Sequence, residues 1–192
     1  MKMTHNTVKI CLVKEVPMSQ MIEKLLFTDK QLYLRLNATS KKAVFAKVMH
    51  TITHLGDTAT AIVAAIFALF LEYQYQIPVG KAMLFTLILS QIIVQSIKRI
   101  VNRPRPYKSI SVANVNQPPT CAYSFPSGHT ACAFTIALSY ATVIPSLFLP
   151  LMFLAFIVGL SRIILGYHYP TDVLIGMVIA TLSHLCIMVY VV

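Results

Sequence analysis

Apolar residues fall in five long runs along this chain, separated by short polar breaks. The first, residues 43–72, begins with helical alternation and turns almost wholly apolar after Asp57. The others cover 81–101, 127–144, 147–165 and 171–191, with breaks at Pro145-Ser146 and around His168 to Pro170. Runs of about twenty apolar residues cross hydrocarbon as helices. The pattern therefore predicts an all-α, polytopic transmembrane helix bundle without internal repeats. In the second run, Gln91 and Gln95 are four apart on one helix face, expected to turn inward.

Residues 18–36 differ. Glu23, Lys24, Asp29, Lys30 and Arg35 interrupt their Met, Leu and Phe positions. That charge density predicts an amphipathic helix lying in the membrane interface rather than a lipid-exposed span. Counting it, the bundle has five to six membrane helices. The organisation expected is a basic arm with its interfacial helix over 1–40 and a transmembrane domain over 41–192. Residues 102–125, with Pro104, Pro106, Pro118 and Pro119 among Asn114, Asn116 and Gln117, read as a polar loop outside the bilayer.

Composition agrees with a membrane location. Of 192 residues, 57% are hydrophobic and 11% charged, with a mean hydropathy of +0.71, too little polar surface for a soluble domain. The net charge of +10 does not point to nucleic acid. Nine of the sixteen Lys and Arg precede residue 48, where they suit anionic head groups, and five more lie between Lys98 and Lys108. No aromatic-interleaved basic surface accompanies them. Cys11, Cys121, Cys132 and Cys186 show neither disulfide nor metal-knuckle spacing. The first residues lack a signal-peptide pattern, so the first membrane helix is expected to direct insertion.

Three clusters carry the candidate chemistry. Lys98 is followed after six residues by Arg105-Pro106, then come Pro126-Ser127-Gly128-His129, then Ser161-Arg162, five residues, His168, three residues and Asp172. Because consecutive spans alternate direction, all three clusters fall at one membrane face. A phosphate monoester carries close to two negative charges. Lys98, Arg105 and Arg162 supply cations for it. Ser127-Gly128 opens a helix, where free N–H groups face an anion and glycine allows close approach. His168 is expected to attack phosphorus while Asp172, four residues on, holds its other ring nitrogen. His129 then protonates the leaving oxygen and later activates water. Asp172 is the only acidic residue after Glu72, so the site is expected to hold one carboxylate at most and to work without a metal or other cofactor.

These clusters resemble the signature of the type 2 phosphatidic acid phosphatase superfamily, with every motif position filled between residues 98 and 172. The helical spans make the chain look like its membrane lipid phosphatases, especially the bacterial phosphatidylglycerophosphate and undecaprenyl-diphosphate phosphatases. The resemblance implies a metal-independent phosphohistidine mechanism on a lipid phosphate in the cell membrane. It also implies a site opening to the outside. The positive-inside rule argues the opposite if there are five spans, since the basic segments share the site's face; a crossing by residues 18–36 would remove the conflict.

Two other functions use the same parts. A phosphotransferase would hand the phosphoryl group to a hydroxyl, and an anion-binding membrane protein would need the cations without turnover. Arg99, Arg103 and Lys108 fall outside the motif and read as interface anchors, each able to steer an anionic head group. His50 and His54 read as interface histidines, with Asp57 the sole candidate third metal ligand, and His184 is expected to bond a neighbouring helix.

Overall fold

The protein is described here by a computed structural model that covers residues 17–115, 118–119 and 121–191, so the basic arm before residue 17, with Cys11, lies outside the described residues, as do Asn116 and Gln117. Every regular element in the described residues is helical. Helix α1 covers Met18–Asn37, α2 Ala43–Thr53, α3 Thr58–Tyr75, α4 Gly80–Val101, and α5 is the single turn Pro106–Ser109. Helices α6 (Gly128–Val143), α7 (Phe148–Ile164) and α8 (Pro170–Val191) complete the bundle.

The run expected as one helix over 43–72 is broken. A 3₁₀ turn at His54–Gly56 and an extended Asp57 (φ −72°, ψ 159°) separate α2 from α3. Gly56 explains the break. A Cβ there would lie 2.6 Å from the His129 carbonyl oxygen and 2.9 Å from Val158, so the backbone itself packs on the start of α6. The ends of α3 and α4 are closed by Gln76 (φ 55°) and Asn102 (φ 50°), each in the left-handed region that stops a helix.

Helix α6 is central and packs against α4, α7 and α8. Its shared core is built on small residues, including Ala131, Ala133, Ala137, Ala155 and Ala180 around Val94 and Val158. Small residues let helices approach closely where lipid removes the hydrophobic incentive to associate. Large apolar side chains such as Ile62, Ile66, Phe70, Ile92, Phe153 and Leu185 point outward instead. Four helices in the described residues are long and apolar enough to cross a membrane: Thr58–Tyr75, Gly80–Val101, Pro145–Ile164 and Pro170–Tyr190. The fifth expected span, α6, has 16 residues, about 24 Å of helix, shorter than the hydrocarbon core.

Helix α1 is not among the spans. Its buried residues Asp29, Tyr33 and Asn37, one stripe at four-residue spacing, all reach one end of the bundle. Asp29 accepts from the Thr171 N–H (2.9 Å), Tyr33 packs on Tyr169, and the Asn37 amide donates to the Ile164 and Asn114 carbonyls (both 2.9 Å). Of the two glutamines, Gln91 turns inward, donating toward Cys132 Sγ at 3.2 Å, while Gln95, one turn on, is exposed. His184 meets Thr142 across helices at 3.1 Å, as expected.

Candidate active site

The end of the bundle that α1 covers is also where the three sequence clusters meet. Lys98 lies in the last turn of α4 and Arg105 precedes α5. Ser127 caps α6, Arg162 lies in the last turn of α7, and His168 and Asp172 flank the start of α8. The Ser127 N–H donates to the Asp172 carbonyl at 3.0 Å, stitching α6 to α8. Glycines make this close packing feasible. A Cβ on Gly176 would come within 2.6 Å of the Ser127 carbonyl, and one on Gly159 within 2.8 Å of Val173.

Lys98, Arg105 and Arg162 are all buried, which is costly for cations without anionic partners. Neutral acceptors hold them partway. Arg105 donates from Nε to the Cys121 carbonyl (2.7 Å) and from Nη1 to the Tyr167 carbonyl (2.9 Å). Arg162 donates from Nη1 to Thr53 Oγ1 (2.8 Å) and lies 4.5 Å from the Tyr167 ring centre, while its Nε has no protein partner among the described residues. Positive charge and spare donors therefore converge on one place, the electrostatic requirement of an anion site.

At the start of α6, Ser127 Oγ accepts from the Thr130 hydroxyl at 2.8 Å, leaving its own proton for a ligand. At Gly128 the protein itself leaves room for a side chain. A Cβ there would meet Gln91 at 3.5 Å and Val94 at 3.7 Å, ordinary contact distances. No protein group among the described residues forbids a side chain at this position, so a need for glycine there points to a ligand.

His168 is 1% exposed. Its Nε2 lies 3.3 Å from Arg105 Nη1 and can accept from it, which assigns the ring proton to Nδ1. Burial, reinforced by Arg105, Arg162 and Lys98, keeps its pKa well below the usual histidine value, so the ring is neutral. Nδ1 lies 3.5 Å from Asp172 Oδ2, too far for a well-formed hydrogen bond, and has no other partner among the described residues. The expected Asp172–His168 bond is thus a near approach rather than a made contact. The carboxylate is already engaged: Oδ1 accepts from Arg103 Nη1 (2.6 Å) and Oδ2 from the Tyr169 N–H (2.8 Å).

Sequence reasoning misplaced Arg103. Instead of anchoring at the interface, it also donates from Nη2 to Asp29 (2.7 Å) and from Nη1 to Thr171 Oγ1 (2.8 Å), and stacks 4.0 Å above the Tyr169 ring centre. Arg99 and Lys108 are exposed.

The expectation of one carboxylate at most is also corrected. Asp29 enters through Arg103, and Asp57 forms an ion pair from Oδ1 to His129 Nε2. Asp57 Oδ2 lies 2.5 Å from His54 Nδ1, and the His54 ring meets that of His50 edge-on at 5.0 Å. Partial burial opposes ionisation of Asp57, but the bond from His54 and the charge of His129 outweigh it, holding the carboxyl below its ordinary range. Both acids precede the motifs, and only the fold brings them in. The local signal for Asp57 was the Gly56-Asp57-Thr58 interruption of an apolar run; Asp29 had none beyond its place in a mixed helix.

Apolar grooves flank this end. One of about 640 Å³ lies between α1, α7 and α8, lined by Leu32, Phe156, Leu174 and Met177 and reaching Thr171. A second, of about 320 Å³, runs between α3 and α4 from Thr58, beside Asp57, past Ile62 and Leu84.

Comparison with known proteins places this geometry among relatives. A family profile described as the PAP2 superfamily matches residues 80–192. A decaprenylphosphoryl-5-phosphoribose phosphatase of Mycolicibacterium smegmatis is 42% identical over 84 residues, 42% of this chain and 42% of the relative. A lipid A 1-phosphatase of Rhizobium johnstonii is 27% identical over 103 residues, covering 52% of this chain and 42% of that protein. The undecaprenyl-diphosphatase BcrC of Bacillus subtilis is 36% identical over 77 residues, 40% of this chain and 39% of the relative. The matched segment thus spans about two fifths of each of these curated relatives. Solved structures align more fully. The crystal structure of Aquifex aeolicus LpxE superposes with a TM-score of 0.74 at 26% identity, over 83% of this chain and 94% of the other. A transmembrane PAP2-type phosphatidylglycerolphosphate phosphatase of Bacillus subtilis shares the fold, with a TM-score of 0.73 at 23% identity over 87% of this chain and 86% of its own.

Proposed function

The chain belongs to the PAP2 superfamily, and we propose that it is an integral membrane lipid phosphatase that removes a terminal phosphate through a phosphohistidine on His168. The observation that carries this reading is the orientation of His168. Its acceptor nitrogen Nε2 points at Arg105 among the buried cations, and its protonated nitrogen lies toward Asp172.

The phosphate dianion takes its place among Lys98, Arg105, Arg162, the Ser127 hydroxyl and the N–H groups opening α6 at Gly128. The Nε2 lone pair of His168 forms a bond to phosphorus while the bond to the lipid oxygen breaks. The departing oxygen takes a proton from His129. The positive charge gained by the ring is stabilised by Asp172, whose approach to Nδ1 tightens from the present 3.5 Å. Water then attacks phosphorus, the N–P bond breaks, and His129 recovers a proton from that water. The cations of the cradle neutralise the phosphate, the part a metal ion would otherwise play, and we read the reaction as metal-independent.

The substrate class is a phospholipid or isoprenoid phosphate, with phosphatidylglycerophosphate and undecaprenyl diphosphate the leading candidates. The flanking apolar grooves suit lipid chains, and the named relatives act on lipid-linked phosphates. We place the site at the outer face of the cell membrane, as the bacterial resemblance implies. The test is phosphate release from a panel of purified lipid phosphates, with trapping of an acid-labile phosphoenzyme from labelled substrate. Turnover and a phosphoenzyme that both disappear in His168→Ala are expected. Full activity in that variant would overturn the reading.

A further inference from the structure

We propose that Asp57 is a positioning residue for His129, holding it oriented and favouring its protonated, acid-competent form; this deepens the phosphohistidine reading and rests on it. Donation to the leaving oxygen requires His129 to begin the first step as an imidazolium. Its surroundings oppose that charge: burial first, then Arg162 on α7, with Lys98 on α4 adding to them. The Asp57 carboxylate is the negative group in direct contact, through Oδ1 and His129 Nε2. An adjacent carboxylate is the standard physical means of keeping an imidazole charged near cations.

Three features indicate that the pairing is built in. Asp57 occupies the N-cap of α3, yet its side chain makes no capping bond and is directed to histidines. The turn before it is fixed to the backbone of His129 itself, since a Cβ on Gly56 would lie 2.6 Å from the His129 carbonyl. The second Asp57 oxygen meets His54 Nδ1 at 2.5 Å, on a side chain 57% exposed. His54–Asp57–His129 thus runs from the surface to the cradle.

With Nε2 held by Asp57, the transferable proton leaves from Nδ1. As the P–O bond breaks, its electron pair goes to the lipid oxygen, which takes the Nδ1 proton. His129 is then neutral, with its Nε2–H still on Asp57. When water attacks the phosphohistidine, Nδ1 takes the proton from water, and the imidazolium–carboxylate pair is restored. The other titratable groups that act on this pair are His54 from the turn after α2, Cys132 from α6, Lys98 from α4, Arg162 from α7 and His168 just before α8. Substitution of Asp57 leaves all of them in place.

The experiment compares wild type, Asp57→Asn and Asp57→Glu in lipid–detergent micelles, measuring single-turnover phosphorylation from phosphatidylglycerophosphate between pH 5.5 and 8.5. Asn is a favoured N-cap residue, so the α3 start is retained. In Asp57→Asn the basic limb of the profile should move to lower pH. The loss should be roughly tenfold or more at pH 8 and shrink toward pH 5.5, following the effect of removing one adjacent opposite charge. Asp57→Glu keeps the charge and should keep the wild-type limb even if its rate falls. An equal loss at every pH, or none, overturns the proposal by leaving Asp57 with at most a packing role. Histidine-labelled NMR provides an arm that needs no turnover, with the His129 signal assigned by its absence in His129→Gln. That signal should titrate at lower pH in Asp57→Asn, and an unmoved titration also overturns the proposal. If wild type hydrolyses no lipid phosphate, the phosphatase reading fails instead, and NMR still decides the pairing.

Discussion

Arg103 holds Asp172 and Asp29 on the two nitrogens of one guanidinium, at 2.6 and 2.7 Å. Both carboxylates are buried, with side chains 0% and 1% exposed. The arrangement joins the start of α8, which carries the proposed nucleophile, to the amphipathic helix α1. It also explains why Asp172 does not close on His168: its lone pairs serve Arg103 and the turn at Tyr169 first.

Removing Arg103 should therefore cost both stability and rate. Arg103→Ala leaves two carboxylates without their cation, a change worth about 3–5 kcal/mol for buried pairs. Thermal unfolding in detergent should show the loss, and kcat should fall with it as Asp172 reorients. Asp29→Asn keeps the Arg103–Asp172 bond and should be milder in kcat. Equal kcat losses in both variants would show that Asp172 is positioned by α1 rather than by Arg103.

What the sequence conveyed and what it withheld divide by distance along the chain. The helices α4, α6, α7 and α8 follow from apolar runs whose ends are marked by Asn102, Ser127, Pro145 and Pro170. The meeting of Lys98, Arg105, Ser127, Arg162, His168 and Asp172 followed from alternating span direction. Asp57 and Asp29 were not legible as partners because their contacts, to His129 and Arg103, cross more than seventy residues. The break at His54–Gly56 was hidden for a related reason. Gly56 and Asp57 interrupt an apolar run only weakly, and the close approach of Gly56 to the His129 carbonyl of α6 is a contact distant in sequence.

His168 makes the fold acid-sensitive in a predictable direction. Burial first, then Arg105, Arg162 and Lys98, lower its folded-state pKa well below the usual 6.5. As pH falls below 6.5, the unfolded chain takes up a proton at this position that the folded protein refuses. Stability from this group is thus present above 6.5 and is lost downward through the folded pKa, by at most about 1.4 kcal/mol per pH unit. Unfolding temperatures measured from pH 7.5 to 5.5 should decline in wild type and decline less in His168→Asn. Parallel curves would count against a neutral, buried His168.

Cys121 offers a direct reading of which membrane face carries the site. Its carbonyl accepts from Arg105 Nε at 2.7 Å, and the residue is exposed at the site's end of the bundle. In a variant retaining Cys121 alone among the four cysteines, a membrane-impermeant maleimide should label intact cells. Labelling only after permeabilisation would place the site in the cytoplasm, as the positive-inside rule suggests for the basic flank.

Gly128 and Gly176 separate phosphate binding from packing. A Cβ at Gly176 would lie 2.6 Å from the Ser127 carbonyl and 3.3 Å from Thr130, both on α6 or its cap. Gly176→Ala must push α8 away from α6, at a cost of about 1–3 kcal/mol for overpacking, and it strains the Ser127–Asp172 backbone bond. At Gly128 a Cβ meets Gln91 and Val94 no closer than 3.5 Å. Gly128→Ala should therefore fold with nearly wild-type thermal stability. If the opening turn of α6 cradles phosphate, the added methyl enters the ligand's space rather than the protein's. Activity should then fall in Gly128→Ala without loss of stability, with weaker inhibition by vanadate, an analogue of the transferring phosphoryl group. In Gly176→Ala, stability and activity should fall together. Wild-type turnover and vanadate inhibition in Gly128→Ala would remove this turn from the phosphate cradle and leave the binding to Lys98, Arg105 and Arg162.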